Sequence, residues 1–225
     1  MTKVFTYIKE SSSRIPSKNF KPLGSKELWR HLIDKLLNYE LYIDTDSEKL
    51  IEKINQEPRY DKIISYKRKK EFIDQENDME NKLSPALDMI DNFIDQYVED
   101  DEEIIVNTHV TSPFLTEKTI DKAINKLKEG YEFVHSVSVI QDFAWLSNSL
   151  NPINFNPKVI QRTQDLEKIF VSNGAFFIFR KKDFKKYNNR LGKKNFLFEL
   201  NSIESVEIDD YDDWLLAERV INGFA

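Results

Sequence analysis

The chain has 225 residues, 40% hydrophobic and 32% charged, a balance that suits one globular domain with a sizeable core. Its 33 basic and 39 acidic side chains give a formal net charge of −6 with no long block of one sign, which excludes non-specific binding to a nucleic-acid backbone as its main task. Zero cysteines exclude a disulfide framework, a thiolate nucleophile and a zinc–thiolate cluster, and 5 glycines are too few for a Gly-rich phosphate loop.

No apolar run approaches the ~20 residues that span a bilayer, so no membrane partner is expected. Met1 leads straight into a strand pattern rather than a signal-peptide core, and a cytoplasmic location is the expectation.

In chain order, Val4 to Ile8 reads as a short apolar strand. The polar loop Lys9 to Asn19 follows. Ser25 is a candidate N-cap for a helix whose apolar face is Trp29, Leu32, Ile33, Leu36 and Leu37. Leu41 to Ile43 is a second strand, and Asp44-Thr45-Asp46-Ser47 after it can cap a helix from Glu48 to Ile54. Lys62 to Tyr66 is a third strand, followed by the basic run Lys67 to Lys70, which reads as a solvated turn apart from Arg68. Apolar positions from Leu83 to Val98 repeat at three and four, predicting an amphipathic helix. A strand starts at Glu103 to Asn107 and runs out at His109 to Pro113. A helix then extends from Thr116, its N-cap, to Glu129, with Gly130 as its stop.

Phe133 to Ile140 is β-rich. Residues 141–168 lack a clean period and carry the turn signals Asn151-Pro152 and Asn156-Pro157, marking an excursion from the core. Phe170 to Phe179 is again strand-like. Ser205 to Asp209 reads as a last strand before a helix that begins around Asp210 to Asp213 and packs Trp214, Ala217, Val220 and Ile221.

Strands alternating with helices predict an α/β fold: one Rossmann-like domain over 1–225, a mainly parallel sheet in a three-layer αβα sandwich. Ligands in such sheets bind beyond the carboxyl ends of the strands. That rule gathers Lys9 to Lys18, Asp44, Asp46, Arg68, His109 to Ser112, Glu207 and Asp209 on one edge. Lys9, Ser11, Ser12, Ser13, Arg14 and Lys18 offer cations, hydroxyls and main-chain N–H groups suited to a triphosphate, although the same composition fits a solvated loop. Thr111 and Ser112 fit either ligand contact or an ordinary turn. Glu207 and Asp209, two apart on an extended segment, project from one face and are hard oxygen ligands for Mg²⁺ beside phosphates. Asp210 and Asp213 form a capping pair just after them.

Taken together, these segments resemble the acylneuraminate cytidylyltransferase family, the CMP-sialic acid synthetases and relatives that act on other 2-keto-3-deoxy sugars. The resemblance rests on Arg14-Ile15-Pro16-Ser17-Lys18-Asn19, Asp44-Thr45-Asp46-Ser47, Arg68 to Phe72, His109-Val110-Thr111-Ser112-Pro113-Phe114, Arg162 to Leu166 with Asn173-Gly174-Ala175, and Glu207-Ile208-Asp209. It implies a fold of the nucleotide-diphospho-sugar transferase type and transfer of CMP from CTP to an anionic acceptor, a sialic acid-like sugar acid, with release of pyrophosphate. Lys18, Lys9 and Asp209 would then be catalytic. Ser12, Ser13, Asn19, Arg68, Thr111 and Ser112 would hold the nucleotide, and His109, Arg162, Gln164 and Asn173 would face the acceptor. Glu207 and Asp209 would hold Mg²⁺. The excursion 141–168 would be a dimerisation arm, making a homodimer.

The resemblance breaks in the first half of the loop. Where the family reads Arg-Gly-Gly-Ser-Lys, this chain reads Lys9-Glu10-Ser11-Ser12-Ser13, with Lys9 in place of an arginine that grips phosphate bidentately. His109 stands at a glutamine position and Glu207 at an aspartate position. A non-sugar acid or phosphonate acceptor, or a catalytically silent nucleotide-binding relative, therefore remain as alternatives.

Overall fold

The computed structural model describes residues 2–78, 80 and 83–223. Its first strand, β1 (Thr2–Ile8), sends Val4 to one face of a sheet and Phe5 to the other, both fully buried. A short hairpin, β2 (Pro22–Leu23) with β3 (Lys26–Glu27), leads to α1 (Leu28–Ile33). Then come β4 (Glu40–Thr45), α2 (Glu48–Gln56), β5 (Ile64–Lys67), α3 (Lys70–Asn77) and α4 (Ala86–Tyr97). The second half runs through β6 (Ile104–Thr108), α5 (Glu117–Lys128), β7 (Phe133–Ile140), β8 (Ile169–Arg180), α6 (Lys181–Tyr187), β9 (Asn195–Glu199) and α7 (Tyr211–Ile221).

Among the described residues these strands form a seven-stranded sheet in the order β5-β4-β1-β6-β8-β7-β9. β8 pairs antiparallel with both its neighbours and every other pairing is parallel, so the sheet is mainly parallel, as predicted. The chain steps outward from β1 to β4 and β5 on one side, then returns to place β6 on the other. The carboxyl ends of β1 and β6 are thus a topological switch point, where open α/β sheets form their ligand crevice.

Alternation along the strands splits the core in two. Val4, Ile43, Val106 and Ile178 pack on α1, α2 and α5, while Phe5, Tyr42, Ile105 and Phe179 pack on α3, α4 and α6. The Phe5 and Phe93 rings stack with centroids 4.5 Å apart. Three layers follow from this two-sided burial. A smaller cluster of Ile15, Leu23, Leu28, Ile208, Trp214 and Ala217 fastens the first loop and the hairpin to α7.

Several boundaries differ from the sequence reading. Ser25 does not cap α1: Gly24, at φ +62°, turns the hairpin and the helix starts only at Leu28. The helix predicted from Leu83 begins at Ala86, with Pro85 at its N-cap. Lys70 opens α3 rather than ending a solvated turn. The short elements α3 and α6 carry too few apolar residues to show a period, and β9 has a run of three, Phe196 to Phe198, without alternation.

Ser205 to Asp209 is not a strand. Ser205 belongs to a turn, and the residues after it are held from outside by the bond from Ile208 N–H to the Thr111 carbonyl at 2.8 Å and from the Lys18 amine to the Ile208 carbonyl at 2.5 Å. The caps at Ser47, Thr116 and the Asp210–Asp213 box form as expected. Residues 141–168 leave the sheet at the far end of the β7–β8 ribbon, with one isolated bridge between Trp145 and Pro152 and one 3-10 turn over Thr163–Asp165.

Candidate active site

A cleft of about 310 Å³ opens at the switch point. Tyr7, Lys9, Ser11 to Ile15, Lys18 and Asn19 line it from β1 and its loop, His109 to Thr111 from the end of β6, and Glu207 and Asp209 from the segment before α7.

The loop is built by anchoring its apolar residue. Ile15 is fully buried against Ile208 and Trp214, which leaves Ser11, Ser12, Ser13 and Arg14 facing the cleft. Ser17 adopts a left-handed conformation (φ 52°) and starts the tight turn Lys18–Phe20, which buries Lys18 and Asn19. Asn19 donates from Nδ2 to the Lys9 carbonyl at 2.9 Å and fastens the loop's start to its end. Its Oδ1 is buried without a hydrogen-bond partner, an acceptor free for a ligand's N–H.

Asp209 is the electrostatic centre. Arg14 donates to its Oδ1 at 2.8 Å, and the Lys18 amine lies 3.4 Å from the same oxygen. Burial lowers the Lys18 pKa, and the Asp209 charge opposes that shift. Glu207 accepts from Thr111 Oγ1 at 3.3 Å, and its Oε1 lies 4.0 Å from His109 Nδ1. Asn173 to Phe176 bulge out of β8 opposite Ser136, and Gly174 at φ +71° brings its backbone against the Glu207 carboxylate. The Tyr7 hydroxyl lies 2.8 Å from His109 Nε2. Burial raises the Tyr7 pKa, and the nearby Arg190 guanidinium pulls it back.

Of the predicted residues, Lys9, Ser12, Ser13, Lys18, Asn19, His109, Thr111, Glu207 and Asp209 meet in this cleft. Lys9 also lies 3.5 Å from Glu76 of α3. Glu10 does not line the cleft: its N–H donates to Asp46 at 2.7 Å and its carboxylate faces Lys49.

The structure does not bring the other five there. Arg68, expected at the nucleotide, has a fully buried side chain that donates to Asp44 at 2.5 Å and Glu76 at 2.6 Å. Ser112 is buried, its Oγ without a partner. Asn173 donates to Ser138 Oγ at 3.2 Å inside the bulge. Arg162 is exposed in the excursion and pairs locally with Asp165 at 2.6 Å, beside an exposed Gln164.

Sequence reasoning passed over Tyr7, Gly174 and Arg190. Tyr7 shares a strand face with Phe5 at a carboxyl end and was legible from period two; Arg190 had no local signal.

Among the described residues no cluster of three or more acidic, histidine or cysteine side chains forms a metal cage. Two carboxylates beside a triphosphate-sized crevice nevertheless fit Mg²⁺, which is held through one or two carboxylates plus substrate phosphates.

A model of the family described as cytidylyltransferase matches residues 10–209. N-acylneuraminate cytidylyltransferase A of Danio rerio is 29% identical over 224 residues, covering 95% of this chain and 49% of that protein. The N-acylneuraminate cytidylyltransferase of Streptococcus agalactiae serotype III is 22% identical over 219 residues, covering 92% of this chain and 50% of its own. The chain thus spans about half the length of these curated relatives. Among solved structures, CMP:2-keto-3-deoxy-manno-octonic acid synthetase complexed with CTP aligns with a TM-score of 0.65 at 10% identity, covering 99% of each chain. The 4-diphosphocytidyl-2C-methyl-D-erythritol synthase of Anaerococcus prevotii aligns with a TM-score of 0.61 at 13% identity, covering 99% of this chain and 97% of that one. These two likenesses establish the fold, and the matched model, spanning the first loop through Asp209, establishes that the chain belongs to the cytidylyltransferase family.

Proposed function

We propose that the protein transfers CMP from CTP to a hydroxyl of an acidic acceptor, a sialic acid-like 2-keto-3-deoxy sugar acid, releasing pyrophosphate. The observation that carries this reading is the convergence of Arg14, Lys18 and Asp209 with the Ser12 and Ser13 hydroxyls at the β1–β6 switch point, within the family span. The acceptor oxygen attacks the α-phosphorus, the bond to the β-phosphate oxygen breaks, pyrophosphate leaves and the hydroxyl proton passes to solvent.

Lys18 and Arg14 counter the charge on the phosphates, and Asn19 Oδ1 accepts an N–H of the base. Tyr7 and His109 border the acceptor end. Glu207 and Asp209 would hold Mg²⁺, which would screen the triphosphate and stabilise charge on the leaving pyrophosphate. The exposed apolar side chains of the excursion, among them Trp145, Leu150, Ile153 and Ile160, suit a homodimer contact that would carry Arg162 and Gln164 toward a neighbouring site. A cytoplasmic location fits activation of a soluble acid by CTP.

One observation favours the catalytically silent alternative: Lys9, at the family's arginine position, is drawn toward Glu76. Pyrophosphate release from CTP with Mg²⁺, read over N-acetylneuraminate, 3-deoxy-manno-octulosonate and simple phosphonates, decides between them. Turnover with a sugar acid is the expected result. CTP binding without turnover on any acceptor supports the silent relative, and no CTP binding overturns both.

A further inference from the structure

Arg190 follows the left-handed residue Asn188 that ends α6. Its guanidinium sits 3.7 Å above the Phe177 ring centre, and Nη1 donates to Asn107 Oδ1 at 3.1 Å. Asn107 lies on β6 opposite Phe5, and Tyr7 is two residues farther along β1, so Arg190 lies at the same sheet edge as the cleft. Arg14, Arg30, Arg59, Arg68, Arg162 and Arg180 each have a carboxylate within 4 Å, whereas Arg219, exposed to solvent on α7, forms no such ion pair among the described residues.

Arg190 has none among the described residues. Its neighbours include the Asn107 amide oxygen, the Tyr7 phenol and the face of the Phe177 ring, all of them uncharged. His135, stacked on Phe177, does not supply a competing anion; burial, then Arg190 itself, depresses its pKa. A half-buried guanidinium keeps several N–H donors in a fixed fork, the geometry that receives an oxyanion.

Arg190 stands just outside the cleft lining, behind Tyr7, which is part of it. Arg190 borders Tyr7; Tyr7 meets His109 at 2.8 Å; His109 meets Glu207 at 4.0 Å. A whole imidazole ring and two contacts separate Arg190 from the carboxylate next to which the phosphate chemistry would occur. An acceptor whose reacting carbon lies near Lys18 and Arg14 has its carboxylate at that end of the cleft, with Tyr7 and His109 between it and Arg190.

We propose that Arg190 forms a distal anion subsite, so that the acceptor carries a second oxyanion at the end remote from its reacting hydroxyl. This rests on the cytidylyl-transfer reading above and narrows its substrate class to dianionic acids. Arg190 is then a specificity-determining residue, and the Tyr7–His109 pair is the wall between the reacting end and the distal end of the acceptor.

The test compares N-acetylneuraminate with its 9-phosphate, by calorimetric binding in the presence of CTP without Mg²⁺ and by pyrophosphate release with it. Wild type is expected to bind the 9-phosphate about tenfold or more tightly than the parent acid, in line with a charge-assisted bidentate contact. R190Q should erase that preference while leaving CTP affinity unchanged, and R190K should keep part of it. Equal binding of the two acids by wild type, including binding of neither, overturns the subsite, as does a preference that survives R190Q. Should R190Q fail to fold, the wild-type comparison and R190K still decide. Pyrophosphate release from any acceptor separates this failure from that of the transferase reading: turnover without a 9-phosphate preference sinks only the subsite.

Discussion

Lys18 donates to the Ile208 carbonyl at 2.5 Å while standing 3.4 Å from Asp209 Oδ1, so one buried amine both shapes the acidic segment and neutralises its carboxylate. The segment has no ladder to hold it, and the Thr111 carbonyl and Lys18 take the place of a strand partner. Lys18→Met should therefore lose stability as well as activity. The stranded Ile208 carbonyl costs about 1–3 kcal/mol in a urea melt. Loss of a preorganised charge on the phosphates should lower kcat for pyrophosphate release by about 10²–10³. A variant that melts earlier but keeps full turnover per folded molecule would remove Lys18 from the chemistry.

The bulge in β8 makes a second, separable prediction. A Cβ on Gly174 would sit 3.1 Å from both Glu207 carboxylate oxygens, at a φ of +71° that disfavours any L side chain. Gly174→Ala should cost about 1–2 kcal/mol from the left-handed backbone. It should also push Glu207 off Thr111 and raise the Mg²⁺ concentration needed for half-maximal activity. Gly130→Ala is the control, because Gly130 has φ +98° but nothing within 4 Å of its Cβ position. It should lose stability with an unchanged Mg²⁺ requirement. Matching Mg²⁺ curves for all three proteins would detach Gly174 from the carboxylate.

What the sequence disclosed follows from which features are local. The short β-rich runs of β1, β6 and β7 and the capped helices α2, α5 and α7 were legible because run length, apolar content and cap chemistry lie within one element. The gathering of Lys18, His109 and Asp209 followed from one rule about strand ends. The single antiparallel strand β8 was not legible, since strand direction depends on a connection, residues 141–168, that has no period. The placing of Arg68 outside the cleft was hidden for a related reason: its partner Asp44 was gathered to the same sheet edge and its partner Glu76 lies on a helix too polar to predict. Ser205 to Asp209 alternates like a strand because Ile208 must face inward, yet no strand lies beside it.

Lys35 supplies a pH signature in the fold itself. Its amine donates to the Pro113 carbonyl at 2.6 Å and the Leu115 carbonyl at 3.1 Å, steadying the turn after Thr111. Burial brings its pKa from 10.5 down to about 8. Below pH 8 both folded and unfolded chains hold the proton; between 8 and 10.5 the unfolded chain holds more, so this group's contribution to stability rises with pH across that window. The difference in urea stability between wild type and Lys35→Met should therefore climb from pH 8 to pH 10. A flat difference would mean that Lys35 titrates alike in both states.

The Asp44–Arg68–Glu76 group should behave as a structural clamp that contacts no nucleotide. Burial works against the Arg68 charge, but Asp44 and Glu76 outweigh it and raise its pKa, so the ion pair persists inside the protein. Removing one partner of a buried pair strands the other, and Arg68→Met should cost about 3–5 kcal/mol. Asp44→Leu added to Arg68→Met should recover part of that loss, because replacing both charges with apolar groups removes the stranded carboxylate. CTP affinity per folded molecule, measured by calorimetry at a temperature where each variant is folded, should match wild type throughout. A selective loss of CTP binding in the Arg68→Met protein, with stability preserved, would instead return Arg68 to the nucleotide site and require the arginine to leave Asp44 when CTP arrives.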